Sequence, residues 1–482
     1  MTLWLDVDDL LSYAQHHARP SGIQRVSFEV SAELANLLGD GVRFCRHDPV
    51  ADKLRTLPWE AISKYFLKLS EPVPEEKPSR VASPQASGGA AVPLRQRLGR
   101  FLAERMPVEV RVPLIKAYRS QRAAISAQGE VLRQGGRALM ASPALLRGQI
   151  QQSDDPAQHG CDIRDLIKPG DVFGILGAPW AHPDYAGFIN RSLEGRSVRI
   201  MLLVHDLIPL MHPEWCEAGL VKVFDRWFRG LAPHVDQFFA VSNATARDIG
   251  RWAAREGVSL KLPARTMPIG TGFSGALPRT GAALPSNLEP GGYALIVSTI
   301  EARKNHLLAF GAWRRMLEEM PAEAVPTLVF AGRVGWLVND LMQQLENCAY
   351  LGGKVVVVTN PDDAELAALY QGCRFTLFPS LYEGWGLPVT ESLSFGKLCI
   401  ASDRASVPEA GGDFCLYIDP DNLTGATEII RKACVDDGLI EECERKIRDG
   451  FRPVSWRRSA EVLAADLGLT GQPESSFQLP RR

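Results

Sequence analysis

The sequence predicts an α/β protein built from two doubly wound parallel-sheet domains, the first of them carrying an inserted segment. Three observations predict it. At 482 residues the chain exceeds the length over which a single hydrophobic core keeps growing. Short apolar runs end at Gly, Asp, Ser or Pro and are followed by stretches of helical spacing, the pattern of βαβ units. That alternation occurs twice, on either side of a Pro- and Gly-rich stretch at 275–292, which reads as a linker.

In the first half, apolar runs place strands at Leu3–Val7, Asp171–Leu176, Arg199–Val204 and Gln237–Val241. Helical spacing places helices near Ile23–Leu38, Glu214–Leu231 and Asn243–Glu256. After the linker, strands are expected at Tyr293–Val297, Thr327–Ala331, Val355–Thr359, Arg374–Phe378, Leu398–Ser402 and Cys415–Ile418. Helices near Asn305–Glu319, Leu337–Asn347, Asp363–Gln371 and Pro388–Phe395 separate them. The domains are therefore drawn as 1–280 and 290–450, followed by a helix and tail at 451–482 that packs back on the first domain.

Residues 71–160 break the rhythm. Their opening, EPVPEEKPSRVASPQASGGAAVP, has too few large apolar residues to fold alone and marks an insertion. Within it, 94–148 holds eleven basic and three acidic residues, in a chain whose formal net charge is −2. Basic residues interleaved with Phe101, Leu102, Val108, Leu114 and Tyr118 could form a helix lying on an anionic membrane, but amphipathic basic helices are common on ordinary surfaces and a solvated helical pair covering the first domain is the simpler reading.

Elsewhere the charge is balanced, 54 basic against 56 acidic residues, which gives no footprint for nucleic acid. No apolar run reaches the length that spans a bilayer, and Asp6, Asp8 and Asp9 stand where a signal peptide needs cations. A cytoplasmic protein is expected, at the inner face of the plasma membrane if the insertion touches lipid. The nine cysteines show no zinc spacing and read as buried reduced thiols.

Ligands of open α/β sheets bind beyond the carboxyl ends of the strands. Polar residues at those ends are His205 and Asp206, Ser242, Ser298 and Thr299, Gly332 and Arg333, and Ser380. The densest signal is FPSLYEGWGLPVTESLSFG at 378–396, where Glu383 and Glu391 bracket Gly384 and Gly386 and Pro388 suits the first turn of a helix. Such a helix start, beside glycines that admit a close backbone approach, implies an anionic ligand. Two carboxylates next to an anion then have work as acceptors for hydroxyls of a sugar and of a ribose, so a nucleotide sugar reconciles them. Arg303 and Lys304 in STIEARKNH could neutralise a departing diphosphate. Gly22, in ARPSGIQRV, opens a second helix start toward the cleft, and His205 could donate to a sugar hydroxyl.

These residues resemble the retaining glycosyltransferases of family 4. EGWGLPVTE supplies a Glu-x7-Glu element, and VSTIEARKNH, VFAGRVGW, NPDDAELAALYQGC and ASDRASVPEAGGD follow in the family order; PSGIQRVSFEVSAEL, LVHDLIP, AVSNATARDI and PIGTG match more loosely. The resemblance implies the GT-B fold of two facing Rossmann-like domains. It puts Glu383 beside the donor sugar, Glu391 on the ribose and Lys304 on the diphosphate, with Gly384, Gly386 and Leu387 along the donor, and Gly22 and His205 lining the opposite wall. Ser298-Thr299 stands where the family commonly has Gly-Arg, so Arg303 or Arg333 takes the role of that arginine.

The resemblance also implies transfer with retention and without a metal. Asp6-Val7-Asp8 has the spacing of a metal-holding Asp-x-Asp but sits in the first strand region. The expected activity is transfer of a hexose, mannose being one candidate with rhamnosyl, glucosyl and galactosyl donors left open, from a nucleoside diphosphate sugar to a growing polysaccharide or lipid-linked glycan; no other cofactor is implied. A nucleotide-sugar epimerase of the same architecture and a non-catalytic assembly subunit are the alternatives.

Overall fold

The computed structural model describes residues 1–16, 20–70, 160–272 and 284–471. The insertion up to residue 159, its basic stretch 94–148 and the first half of the linker lie outside these residues. The first lobe is a seven-stranded sheet in the order β3-β2-β1-β4-β5-β6-β7, with β1 Leu3–Asp6, β2 Val42–Asp48, β3 Lys53–Leu57, β4 Val172–Ile175, β5 Arg199–Val204, β6 Gln237–Ala240 and β7 Arg265–Thr266. Only β3 runs antiparallel, paired with β2 at the edge. The second lobe is a parallel sheet in the order β10-β9-β8-β11-β12-β13. Its strands are β8 Tyr293–Val297, β9 Thr327–Ala331, β10 Val355–Val358, β11 Phe375–Phe378, β12 Cys399–Ser402 and β13 Leu416–Ile418.

Each lobe thus has the order 3-2-1-4-5-6 within itself, that of a Rossmann-like sheet, and the pair makes the GT-B architecture. The crevice where strand order reverses lies between β1 and β4 in the first lobe and between β8 and β11 in the second. Strands buried on both faces explain why they read as unbroken apolar runs. Leu3 and Leu5 enter one core with Val26 and Val30, while Trp4 enters the other with Phe173 and Phe188. Likewise Ala294 and Ile296 face one side of the second sheet and Tyr293 and Leu295 the other.

The ten expected strands form, trimmed by at most one residue at an end. The reading omitted β2, β3 and β7. VRFCRHD and KLRTL carry charges between their apolar residues because they form an edge hairpin, and β7 is two residues long. The helix expected from Glu214 starts at Ala218, since Pro213–Trp215 winds as a 3₁₀ turn and Cys216 is extended. The cysteines are all unpaired, but only Cys45, Cys373, Cys399 and Cys434 are buried; Cys216, Cys348, Cys415 and Cys443 are partly exposed and Cys161 is exposed.

The helix Trp456–Asp466 completes the first lobe. Trp456, Ala460, Leu463 and Ala464 join the core beneath the helix Gly22–Leu38. A Cβ on Gly270 would lie 2.4 Å from the Trp456 ring, so glycine there is what lets the indole seat. Arg265 pairs with Asp466 at 2.8 Å.

The lobes meet through polar contacts. Glu409 accepts from the Asn243 and Ala244 amides at 2.7 and 2.8 Å, so an acid of one lobe caps the helix Asn243–Glu256 of the other. The Tyr382 hydroxyl donates to Asp248 at 2.8 Å and the Trp336 indole to the Trp215 carbonyl at 3.1 Å. Among the described residues no helix is long and apolar enough to cross a membrane.

Candidate active site

The second sheet's crevice is flanked by the segment after β8, residues 298–304, and the segment after β11, residues 379–386. The first ends in the 3₁₀ turn Ala302–Lys304, closed by Asn305 in the left-handed region at φ 56°. This turn points two consecutive cations at one carboxylate. Arg303 Nη1 lies 2.7 Å from Glu383 Oε2, and Lys304 Nζ lies 2.6 Å from Oε1. Arg303 also donates to the Tyr382 carbonyl at 2.6 Å and pairs with Glu301 at 2.7 Å, while its own carbonyl accepts from the Leu381 amide at 2.9 Å.

Glu383 is 7% exposed. Burial alone would raise its pKa, but Arg303 and Lys304 outweigh that effect and hold the carboxyl at about 2. It is ionised at any working pH and suits acceptance of hydroxyl protons, not proton donation. Arg303, engaged with Glu301, Tyr382 and Glu383, fixes this carboxylate. Lys304 has one acceptor in Glu383 and keeps donors for an anion.

Ser406 donates to the Glu383 and Trp385 carbonyls at 2.8 and 2.9 Å and pins the loop. A Cβ on Gly384 would stand 1.9 Å from the His205 carbonyl oxygen, so this glycine serves the close approach of the lobes, not only that of a phosphate. Gly386, at φ 116°, precedes the helix Leu387–Ser394 in a conformation that side chains disfavour.

Across the crevice, half-buried Asp206 accepts from the Ile208 amide at 3.0 Å. Burial raises its pKa, against the pull of Arg303. His205 donates from Nε2 to the Leu176 carbonyl at 2.8 Å. Burial keeps the ring neutral by lowering its pKa, and that hydrogen bond fixes the tautomer, leaving Nδ1 as an acceptor. The expectation that His205 donates a hydrogen bond is corrected accordingly: with Nε2 committed to Leu176, the ring's remaining nitrogen is an acceptor.

Glu391 lies on the helix after Gly386, also 7% exposed. Its Oε2 accepts from the Tyr370 hydroxyl at 2.8 Å, and Arg25 of the first lobe stands 3.8 Å from Oε1. Burial raises its pKa, with Arg25 and Tyr370 opposing. Gly22 opens the helix that carries Arg25; a Cβ there would lie 3.6 Å from Leu387, an ordinary contact, so the lobes alone do not require glycine.

Ser298 and Thr299 belong to a loop laddered to the one after β9: the Ser298 amide donates to Ala331 and the Ile300 amide to Arg333. The Ser298 hydroxyl faces His306 at 3.3 Å. The Arg333 side chain is exposed and its charge reaches Tyr13 of the opposite lobe. Arg303, Lys304 and Glu383 therefore meet directly, and His205 closes on their loop at Gly384. Gly386 and Leu387 lead from that loop to Glu391, whose own neighbours are Tyr370, Arg25 and Asp363, while Gly22 lies against Leu387. Ser298, Thr299 and Arg333 belong to the adjoining loops after β8 and β9.

Arg25, Glu301 and Tyr370 escaped the sequence reading. Glu301 stands two residues before Arg303 and Arg25 three after Gly22, so both were inside motifs already noticed; their partners became visible only in three dimensions.

Against known proteins, residues 285–450 match the family described as Glycosyl transferases group 1. The chain is 27% identical over 334 residues to the serotype-specific mannosyltransferase WbdA of Escherichia coli, an alignment covering 67% of this chain and 40% of that protein. It thus spans about two fifths of that relative's length. It is 28% identical over 289 residues to the Escherichia coli O-antigen chain mannosyltransferase B, covering 58% of this chain and 73% of the relative. Among solved structures, a UDP-forming trehalose-phosphate synthase from Burkholderia xenovorans aligns with a TM-score of 0.49 at 14% identity, covering 64% of this chain and 75% of that one.

Proposed function

We propose that the protein is a retaining glycosyltransferase of family 4 that moves a hexose, mannose in the first instance, from a nucleoside diphosphate sugar to a growing polysaccharide or lipid-linked glycan. The observation that carries this reading is the carboxylate of Glu383 held between Arg303 and Lys304 at the crevice of the second sheet, with Asp206 and His205 opposite. The family match over 285–450 and the two relatives named as mannosyltransferases support it.

In this reading the diphosphate sits beside Lys304, whose charge offsets the negative charge growing on it as the bond from the anomeric carbon breaks. Glu383 and the Nδ1 of His205 accept hydroxyls of the sugar and hold its face. The acceptor oxygen bonds to the anomeric carbon from the side the diphosphate leaves. Its proton passes to a diphosphate oxygen, so no carboxyl on the protein needs to act as base, in keeping with a Glu383 too acidic for that work. Glu391 accepts the ribose hydroxyls. Catalysis without a metal fits the occupation of Asp-x-Asp: Asp6 accepts from Tyr185 and Asp8 faces Arg46 at 3.7 Å.

The test is a screen of GDP-, UDP- and dTDP-sugars, with and without chelator, for donor hydrolysis and for transfer to a mannan fragment. Turnover of GDP-mannose that survives chelation supports the reading. Conversion of the donor into an epimer would replace it, and binding without turnover would favour an assembly subunit. The membrane contact of 94–148 belongs to the same reading, and deletion of residues 80–150 should lower cosedimentation with anionic liposomes.

A further inference from the structure

Arg25 joins the first lobe's helix Gly22–Leu38 to two acids of the second, and it meets them at unequal distances. Nη2 makes a hydrogen bond of 3.1 Å to Asp363, at the start of the helix Asp363–Gly372. Nη1 stops 3.8 Å from Glu391 Oε1, near enough for charge attraction and too far for a hydrogen bond. Glu391 Oε2 is taken by Tyr370, so Oε1 keeps its capacity to accept.

We infer that Arg25 is a positioning residue for nucleotide recognition: anchored by Asp363, it sets a positive charge beside the buried Glu391 carboxyl from a distance that leaves Oε1 open to a ribose hydroxyl. The inference rests on the reading of Glu391 as the ribose acceptor. Its physical content is a balance. A carboxylate with 9% of its side chain exposed tends toward the neutral acid, and an ionised acceptor holds a hydroxyl about twice as strongly as a neutral one. A guanidinium in direct contact would restore the charge but occupy the oxygen. Asp363, with 46% of its side chain exposed, draws the guanidinium aside.

The groups facing Glu391 are Arg25 from the first lobe and Tyr370 and Asp363 from the helix packed beside it. Tyr370 is itself buried, which raises its pKa and keeps it a proton donor throughout the neutral range. Loss of Arg25 removes the only cation in this set, so the carboxyl takes up a proton at higher pH than before. The defect is therefore greatest in acid and fades as pH rises.

The experiment is calorimetric titration of the full chain with GDP and with 2′,3′-dideoxy-GDP between pH 6 and 8.5, with UDP as a second nucleotide, each variant compared with the parent at the same pH so that titration of the phosphate cancels. Arg25→Met should weaken GDP binding about tenfold at pH 6 and about threefold at pH 8.5, and Arg25→Lys should recover most of the loss. Binding of the dideoxy nucleotide should be unaffected. Asp363→Asn, at a half-exposed position where folding is not at stake, should let the guanidinium close on Glu391 and reduce the preference for GDP over the dideoxy form.

A loss in Arg25→Met that is equal at every pH, or equal for both nucleotides, overturns the inference while leaving the ribose reading standing. So does an unchanged preference in Asp363→Asn. If the parent binds both nucleotides equally, if Glu391→Gln leaves their ratio intact, or if neither GDP nor UDP binds, the ribose reading itself fails and the inference falls with it.

Discussion

The two switch-point crevices share one topology and carry opposite chemistry. Beyond β8 and β11, Arg303 and Lys304 grip Glu383 in ion pairs that hold its carboxylate ionised. Beyond β1 and β4, the corresponding positions hold Asp6, Asp8 and Asp9, which lean largely on neutral donors: Asp6 on the Tyr185 hydroxyl, Asp9 on the Ala178 amide and Gln24. Burial, with Asp8 adding to it, pushes Asp6 up to about 7, and burial raises Asp8 and Asp9 as well. A crevice of cations beside a fixed carboxylate suits a charged handle. A crevice of weakened acids suits a partner made of hydroxyls. The same topology thus pairs charges at one crevice and, apart from Asp8 facing Arg46, leaves its acids to neutral donors at the other.

Breaking the paired side should have the largest effect. Glu383→Gln leaves two buried cations facing an amide and removes the fixed acceptor, and turnover of the donor is expected to fall roughly 100-fold or more. Lys304→Ala should fall similarly while melting as a folded protein; near-parental rates in both variants would remove this cluster from the chemistry. Forcing the two crevices apart comes next. Gly384→Ala drives a Cβ into the His205 carbonyl, from 1.9 Å, and should lower kcat/KM by about tenfold, with small loss of thermal stability because neither lobe's core is touched.

The unpaired side is sharpened by pH. A carboxyl whose pKa is raised on folding binds its proton more tightly in the native state, so its contribution favours folding in acid and is lost as pH rises from the unfolded value of 3.8 through about 7. Asp6→Asn should therefore gain Tm relative to the parent between pH 5 and pH 8, by a few degrees on differential scanning; a gap constant with pH would place the Asp6 proton elsewhere. The smallest effect tests the seam. Glu409→Gln weakens the cross-lobe cap and should cost about 1 kcal/mol in chemical denaturation.

How much of this was legible follows from how each part is encoded. The parallel strands announced themselves because both faces are buried, whereas VRFCRHD and KLRTL, at an edge, mixed charge with apolar residues and passed unread. Glu383 and Glu391 stood out because glycines, a proline and two acids share one short stretch. Glu301 and Arg25 did not, because a single charged residue on a loop or helix reads as solvated: Glu301 acts through Arg303 on Glu383, 80 residues beyond that arginine, and Arg25 faces Glu391, 366 residues away. The neutral tautomer of His205 was beyond the sequence for the same reason, since it depends on a carbonyl at Leu176.

The helix Trp456–Asp466 has a consequence for how the molecule comes into being. During synthesis every strand of the first lobe is made before the second lobe appears, yet the indole that fills the space beside Gly270 is among the late residues to emerge. The early lobe must wait with an apolar face uncovered while its neighbour is translated. A first lobe expressed without residues 456–466 would keep that face exposed.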